Sequence, residues 1–248
     1  MNVELISYTA DAENLLIFTK HTRRLEVDKA VNMTQEEKAE ELKYVLNTIS
    51  GPWEFINYTF MIKDVTRAFT HELVRSRVGT SFAQESMRFA SKENFSYRNE
   101  ISEEEFPEAF KSYEGIMDDI DDTYHSMIVD GVPIQEARGV LPTNILTNIV
   151  MNINLRALST MLNLRLCLRT AGEYQQVAKE FRELVMKVHP WTEPVLVPFC
   201  IQHGICCFPM YNECPIKEEN PDLQRNDDLV ASTRKSWHKV AGLSKQPT

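Results

Sequence analysis

Apolar residues recur at Ala39, Leu42, Val45 and Leu46 behind Thr34-Gln35-Glu36-Glu37. A threonine that can accept backbone N–H groups, followed by acids suited to a helix start, predicts a helix running to Gly51-Pro52. Upstream, residues 3–8 alternate weakly, with Val3, Leu5 and Ser7 against Glu4 and Ile6, which predicts a strand. A helix-like apolar run follows from Ala12 to Thr19. From Phe55 to Ile62 aromatic and β-branched residues dominate, which predicts a second strand, with a helix next at about Val65 to Val74.

After the acidic stretch 101–106 and Pro107, the positions Phe110, Tyr113, Ile116, Met117, Ile120 and Tyr124 trace one face of a long amphipathic helix that Gly131 ends. Further helices are expected from Pro133 and after Pro142, then over Asn154–Arg169 and Glu173–Val188, the last stopped by Pro190. Beyond Pro198 the chain turns to cysteines, prolines and mixed charge, and a loosely structured extension is expected there. The expected organisation is therefore a main domain over 1–198 and a C-terminal extension over 199–248.

Composition narrows the function. A chain of 248 residues with 43% hydrophobic content can bury a sizeable core. The formal net charge of -9 speaks against binding a nucleic acid polymer, whereas a small anion needs only local positive charge. No apolar run is long enough to span a bilayer, and Met1-Asn2-Val3-Glu4 does not begin a secretory leader, so a cytoplasmic protein is expected. The five cysteines, an odd number, point to reduced thiols rather than a disulfide framework. Their spacing with His203 is unlike paired Cys-x-x-Cys knuckles, so no metal site is expected.

Local charge is most unusual between Ala137 and Gly172, where Asp, Glu and Lys are absent while Arg138, Arg156, Arg165 and Arg169 remain. At about 100° per residue, Asn154, Leu158, Met161, Arg165 and Arg169 fall on one side of a helix and Arg156, Thr160, Asn163 and Cys167 on the other. Apolar residues lie nearly all round it, so a buried helix is expected. Buried guanidinium groups require anions, either protein carboxylates or a phosphate or uracil-like ligand. A second cluster, Arg75-Ser76-Arg77-Val78-Gly79-Thr80-Ser81-Phe82-Ala83-Gln84-Glu85-Ser86-Met87-Arg88, reads as a loop that could offer hydroxyls and backbone N–H groups to a phosphate. His71-Glu72 lacks the second histidine of a zinc-protease helix, and no Gly-x-Ser-x-Gly elbow surrounds Ser86.

Taken together, the two clusters resemble the flavin-dependent thymidylate synthases. Arg75-Ser76-Arg77, eight residues, then Ser86-Met87-Arg88 is similar to the family's Arg-His-Arg signature, which has seven residues before its serine. Ala137-Arg138-Gly139-Val140-Leu141-Pro142 resembles its Ala-Arg-x-x-Leu-Pro segment. Asn154-Leu155-Arg156-Ala157-Leu158 with Leu162-Asn163-Leu164-Arg165 resembles its Asn-x-Arg-Ser-Leu…Leu-Asn-Leu-Arg helix, and Trp53-Glu54-Phe55 its Phe-Glu-His turn.

The resemblance implies an α+β subunit, a small antiparallel sheet with many helices, assembled as a homotetramer with shared sites. It implies transfer of a one-carbon unit from methylene-tetrahydrofolate to C5 of dUMP, with FAD as hydride carrier and NADPH as its reductant. By the same resemblance Glu72, Gln84, Glu85, Ser86, Met87, Arg88, Arg138 and Arg165 contact the nucleotide. Among them Arg88, Arg138 and Ser86 bind its phosphate, and Gln84 and the catalytic Arg165 address its base. Arg75, Ser76, Arg77, Val78, Asn154, Arg156 and Thr160 are the implied flavin contacts. Three positions depart from the family: Ser76 for its histidine, Ile49 where another histidine is common, and Thr160 where asparagine is common. All three bear on flavin. They leave open a folate-dependent pyrimidine nucleotide hydroxymethylase of the same fold, a non-catalytic nucleotide-binding protein, and a structural assembly whose arginines all meet carboxylates.

Overall fold

The computed structural model describes residues 1–231 apart from 24, 25, 27, 29–31, 90, 91 and 171. In chain order its elements begin with β1 (Asn2–Tyr8), α1 (Ala12–Thr22), α2 (Gln35–Thr48), a 3₁₀ turn (Gly51–Phe55), β2 (Asn57–Thr66) and α3 (Arg67–Leu73). They continue with β3 (Thr80–Gln84), α4 (Pro107–Val129), α5 (Ile134–Ala137), a 3₁₀ turn (Arg138–Val140), β4 (Leu146–Asn154), α6 (Leu155–Arg165) and α7 (Gly172–Val188). A turn at Pro190–Val195, α8 (Phe199–His203), β5 (Ile205–Cys206), α9 (Pro215–Glu219) and β6 (Gln224–Arg225) complete the described part. This is the expected α+β architecture. Two compact units emerge, Met1–Tyr8 with Asn57–Ile153, and Thr9–Ile56 with the described residues of Asn154–Thr248. Among the described residues no helix is long and apolar enough to cross a membrane.

The first unit is built on a four-stranded sheet of order β1-β2-β4-β3, in which β1 pairs antiparallel with β2 and β3 with β4. In β2 the alternate residues Tyr58, Phe60 and Ile62 are fully buried. Burying each contributes roughly 1.5–3 kcal/mol, which sets the face the strand turns to the core. In β4 the buried set is Thr147, Ile149, Met151 and Ile153. This corrects the helix expected after Pro142: the apolar residues there recur every second position, and that period buries one face of a strand. The segment Thr80–Gln84, read from sequence as loop, is likewise a strand, because it pairs residue by residue with Ile149–Ile153. Gly79, at φ 70, makes the turn into it in a left-handed conformation that a side chain would resist.

In the second unit α2 starts on a complete capping box: the Thr34 hydroxyl accepts from Glu37 N at 3.3 Å, and the Glu37 carboxylate accepts from Thr34 N at 2.8 Å. Leu155, Leu158, Ser159, Met161 and Leu162 of α6 are buried, as are Tyr174, Val177, Ala178, Phe181 and Val185 of α7. Arg156, Thr160 and Leu164, four residues apart, are exposed, so α6 is amphipathic within this chain and not buried all round as expected. The stretch 199–231, expected to be loose, instead folds as short elements over a buried cluster of Cys200, Cys206, Phe208, Tyr211 and Leu223. Residues 232–248 of the expected extension lie outside the described residues.

Candidate functional site

The first unit holds the residues of the Arg-Ser-Arg cluster. Thr66 caps α3 by accepting from Phe69 N at 3.0 Å. Beyond that helix, Arg75, Arg77 and Val78 stand exposed in the turn before β3, with Ser76 half-buried. Glu72 is exposed on the last turn of α3. At the end of β3 the Gln84 amide donates from Nε2 to Thr70 Oγ1 at 2.9 Å, which orients its side chain. Glu85 donates its backbone N–H to Asn148 O at 3.0 Å, and its carboxylate takes Lys92 Nζ at 2.6 Å. Ser86 Oγ accepts from Arg88 N at 3.3 Å, closing a local turn, and Met87 is half-buried beside it. The exposed Arg88 guanidinium lies 5.7 Å from the Phe89 ring centroid.

Arg138 opens its 3₁₀ turn with Nε donating to Gln135 O at 3.1 Å. Its charge acts on Arg67, a residue the sequence reading missed. Burial, and after it the neighbouring Arg138, pull Arg67 below the ordinary arginine value, with Glu85 partly opposing. A signal did exist in the sequence: Arg67 follows the capping Thr66 directly, and a cation on the first turn opposes the helix dipole. Such a placement calls for a reason other than helix stability. Among the described residues Arg75, Arg77, Arg88 and Arg138 form no ion pair. The reading in which every arginine meets a carboxylate therefore fails in this unit. What remains in this unit is a set of exposed arginines, a half-buried Arg67 within reach of Arg138 and Glu85, and an oriented Gln84 amide, groups whose chemistry suits a phosphorylated, hydrogen-bonding ligand.

The second unit holds the other expected positions, and here local structure accounts for several. Asn154 Oδ1 accepts from Ala157 N at 2.9 Å and so caps α6, while Leu155 N donates to Ile56 O at 2.8 Å. Arg156 meets Glu54 at 2.6 Å, both about half exposed, which joins the Trp53-Glu54-Phe55 turn to the start of α6. Thr160 Oγ1 donates back to Arg156 O at 3.0 Å. The Arg165 guanidinium carbon lies 4.0 Å from the centroid of the Tyr174 ring, a cation–π contact. Asn163 and Ser159 donate to Val197 O and Val195 O, both at 2.6 Å, and tie the later turn to α6. The Arg165–Tyr174 contact thus comes from packing between α6 and α7.

Comparison with known proteins gives the context. Residues 4–191 match the family described as thymidylate synthase complementing protein. A flavin-dependent thymidylate synthase of Sulfurisphaera tokodaii is 34% identical over 220 residues, covering 82% of this chain and 80% of the relative. One from Saccharolobus solfataricus is 32% identical over 209 residues, covering 82% and 79%. The crystal structure of the Helicobacter pylori flavin dependent thymidylate synthase, complexed with FAD and dUMP, superposes with a TM-score of 0.62 at 18% identity, over 79% of this chain and 100% of that one. At that identity the superposition speaks for the fold. With most of its length matched by the family and two relatives above 30% identity over four-fifths of the chain, this protein belongs to the thymidylate synthase complementing protein family of flavin-dependent thymidylate synthases.

Proposed function

We propose that the chain makes dTMP, transferring a one-carbon unit from methylene-tetrahydrofolate to C5 of dUMP with reduced FAD as hydride donor and NADPH as the reductant of the flavin. The observation that carries this reading, beside family membership, is the set of guanidinium groups in the first unit that no carboxylate neutralises among the described residues. In the proposed roles Arg88, Arg138 and the Ser86 hydroxyl bind the nucleotide phosphate by charge-assisted hydrogen bonds. Gln84, with its Nε2 engaged by Thr70, keeps Oε1 to accept a ring N–H. Glu72, Glu85 and Met87 complete the nucleotide contacts. Arg165, in contact with the Tyr174 ring, addresses the uracil carbonyls and stabilises negative charge that develops on the base during transfer.

FAD is dianionic through its two phosphates, and the exposed Arg75 and Arg77, which form no ion pair among the described residues, fit such a group. Ser76, Val78, Asn154, Arg156 and Thr160 are assigned to the same cofactor. When bound, FAD supplies the hydride that completes the methyl group. We further assign the catalytic domain to 1–198 and an extension to 199–248, a homotetrameric assembly with shared sites, and a cytoplasmic location. Mass analysis of the nucleotide after incubation of the protein with dUMP, methylene-tetrahydrofolate, FAD and NADPH tests the activity. Gain of a methyl group is expected; gain of a hydroxymethyl group, or an unchanged nucleotide, refutes the assignment.

A further inference from the structure

Arg67, the first residue of α3, stands among the groups assigned to the nucleotide without being one of them. Its backbone N–H donates to Ile145 O at 3.1 Å and that of Ala68 to Thr143 O at 2.8 Å, which ties the start of α3 to the stretch following the Arg138–Val140 turn. Its own carbonyl accepts from Thr70 Oγ1 at 3.0 Å, the same hydroxyl that orients the Gln84 amide at 2.9 Å. Its guanidinium donates from Nη1 to Glu85 O at 3.5 Å, the carbonyl of the peptide bond that leads into Ser86. Arg138 acts on it electrostatically. Gln84, Ser86 and Arg138, all proposed nucleotide contacts, therefore lie around this one residue.

The free protein does little to satisfy that guanidinium. Its hydrogen bond to Glu85 O is long, and among the described residues most of its N–H donors have no protein partner. Glu85 is the carboxylate that acts on it, and that carboxylate is already engaged by Lys92 Nζ at 2.6 Å. Arg67, Arg138 and Lys92 thus share a single carboxylate. Arg67 and Arg138 are both half-buried, so water compensates their charges only in part.

Two like charges brought together partly out of water raise the energy of the free protein, and a small anion bearing two charges removes that cost. A phosphate monoester is such an anion near neutral pH, since its second pKa lies at about 6. It also presents several acceptor oxygens to the unused donors. A neutral nucleoside offers neither. We infer that Arg67 binds the 5′-phosphate of the nucleotide together with Arg138, so that the site selects the dianionic monophosphate over the nucleoside. This rests on the nucleotide reading above and adds to it a residue from the start of α3. A purely structural role is the weaker account, because one long hydrogen bond to a carbonyl does not offset a half-buried charge set beside another of its own sign.

The test is calorimetric titration of the full chain with dUMP and with deoxyuridine, beside thermal melts of the free protein. Arg67→Met is expected to weaken dUMP binding roughly 30-fold or more, to leave the weaker affinity for deoxyuridine unchanged, and to melt no lower than the parent. Arg67→Lys keeps the charge and a donor for Glu85 O but loses the planar fork, so its dUMP affinity is expected between those of the parent and Arg67→Met. A residue that only holds the Glu85 carbonyl gives a different pattern: a lower Tm in Arg67→Met, dUMP and deoxyuridine weakened by the same factor, and all three restored in Arg67→Lys. That pattern, or parent-like dUMP affinity in Arg67→Met, overturns the inference and leaves the nucleotide reading standing. If Arg67→Met does not fold, Arg67→Lys decides: weakened dUMP with unchanged deoxyuridine supports the inference, and parent-like dUMP affinity overturns it. Absence of dUMP binding in the parent is a separate result, which removes the nucleotide reading and the inference with it.

Discussion

Replacing Arg138 by Met separates a ligand-binding arginine from a structural one, because the two roles move stability and affinity in different directions. Methionine retains much of the aliphatic stem and deletes the charge. In the free protein that charge acts unfavourably on the half-buried Arg67, and among the described residues the hydrogen bond lost is the exposed contact to Gln135 O at 3.1 Å. The free protein is therefore expected to melt at the same temperature as the parent or slightly higher. Losing a desolvated charge contact to the nucleotide phosphate costs about 2–5 kcal/mol, which weakens dUMP binding roughly 30-fold to several thousand-fold. For the parent at 100 times Kd, ligand binding adds about 2.7 kcal/mol of stability, a rise of roughly 5–10 °C for a chain of this size. At the same dUMP concentration the variant, even at the weak end of the range, gains only about 1 kcal/mol, or roughly 2–4 °C. Differential scanning fluorimetry with and without dUMP, paired with calorimetric titration, reads both quantities. A free protein destabilised by several degrees with the dUMP shift intact would make Arg138 part of the scaffold and refute the reasoning.

Asn154→Ala removes the side-chain cap of α6 and should cost about 1 kcal/mol, seen as a lower Tm, while Asn154→Asp, an equally good cap, should keep it; equal loss in both would show that the cap is not what stabilises the helix. Arg156→Ala breaks an ion pair whose partners are about half exposed, so stability should change by less than about 1 kcal/mol while FAD affinity falls; a large drop in Tm with FAD binding intact would reassign the residue. Glu41, against the buried Lys20, is opposed by burial but held below its ordinary value of 4.5 by the Lys20 hydrogen bond and charge. A depressed carboxylate contributes stability that is present above that value and lost as pH falls through the lower folded value. Glu41→Gln should accordingly cost on the order of 3 kcal/mol near neutral pH by leaving the buried Lys20 charge, among the described residues, a neutral amide and the Tyr44 ring at 4.2 Å, and should flatten the acid side of a Tm-against-pH curve; an unchanged curve would dismiss the pair.

Much of this protein was legible in local pattern. The capping box at Thr34, the long face from Phe110 to Tyr124 that became α4, and the run stopped by Pro190 each state their element within one stretch of chain, because helix hydrogen bonds and caps are local. The family was legible too, since Arg75, Arg88, Arg138 and Arg165 keep their order and approximate spacing whatever the fold does with them. Strands β3 and β4 were not legible. Their stability comes from pairing Thr80–Gln84 with Ile149–Ile153, and short segments with apolar residues on every second position compete with helix readings until the partner is known.

The sequence by itself determined which residues are charged, where the strongest helices begin and end, and that the stretch from Ala137 to Gly172 carries arginines without acids. Only the tertiary structure decided which of those charges are neutralised. It gave Arg156 to Glu54, laid Arg165 on Tyr174, set Arg67 against Arg138, and brought Cys167, Cys206 and Cys207 to Arg169. The reason is physical: helix propensity and capping act over a few residues, whereas the energy of a charge depends on the groups and the water that folding places beside it, and those come from anywhere along the chain.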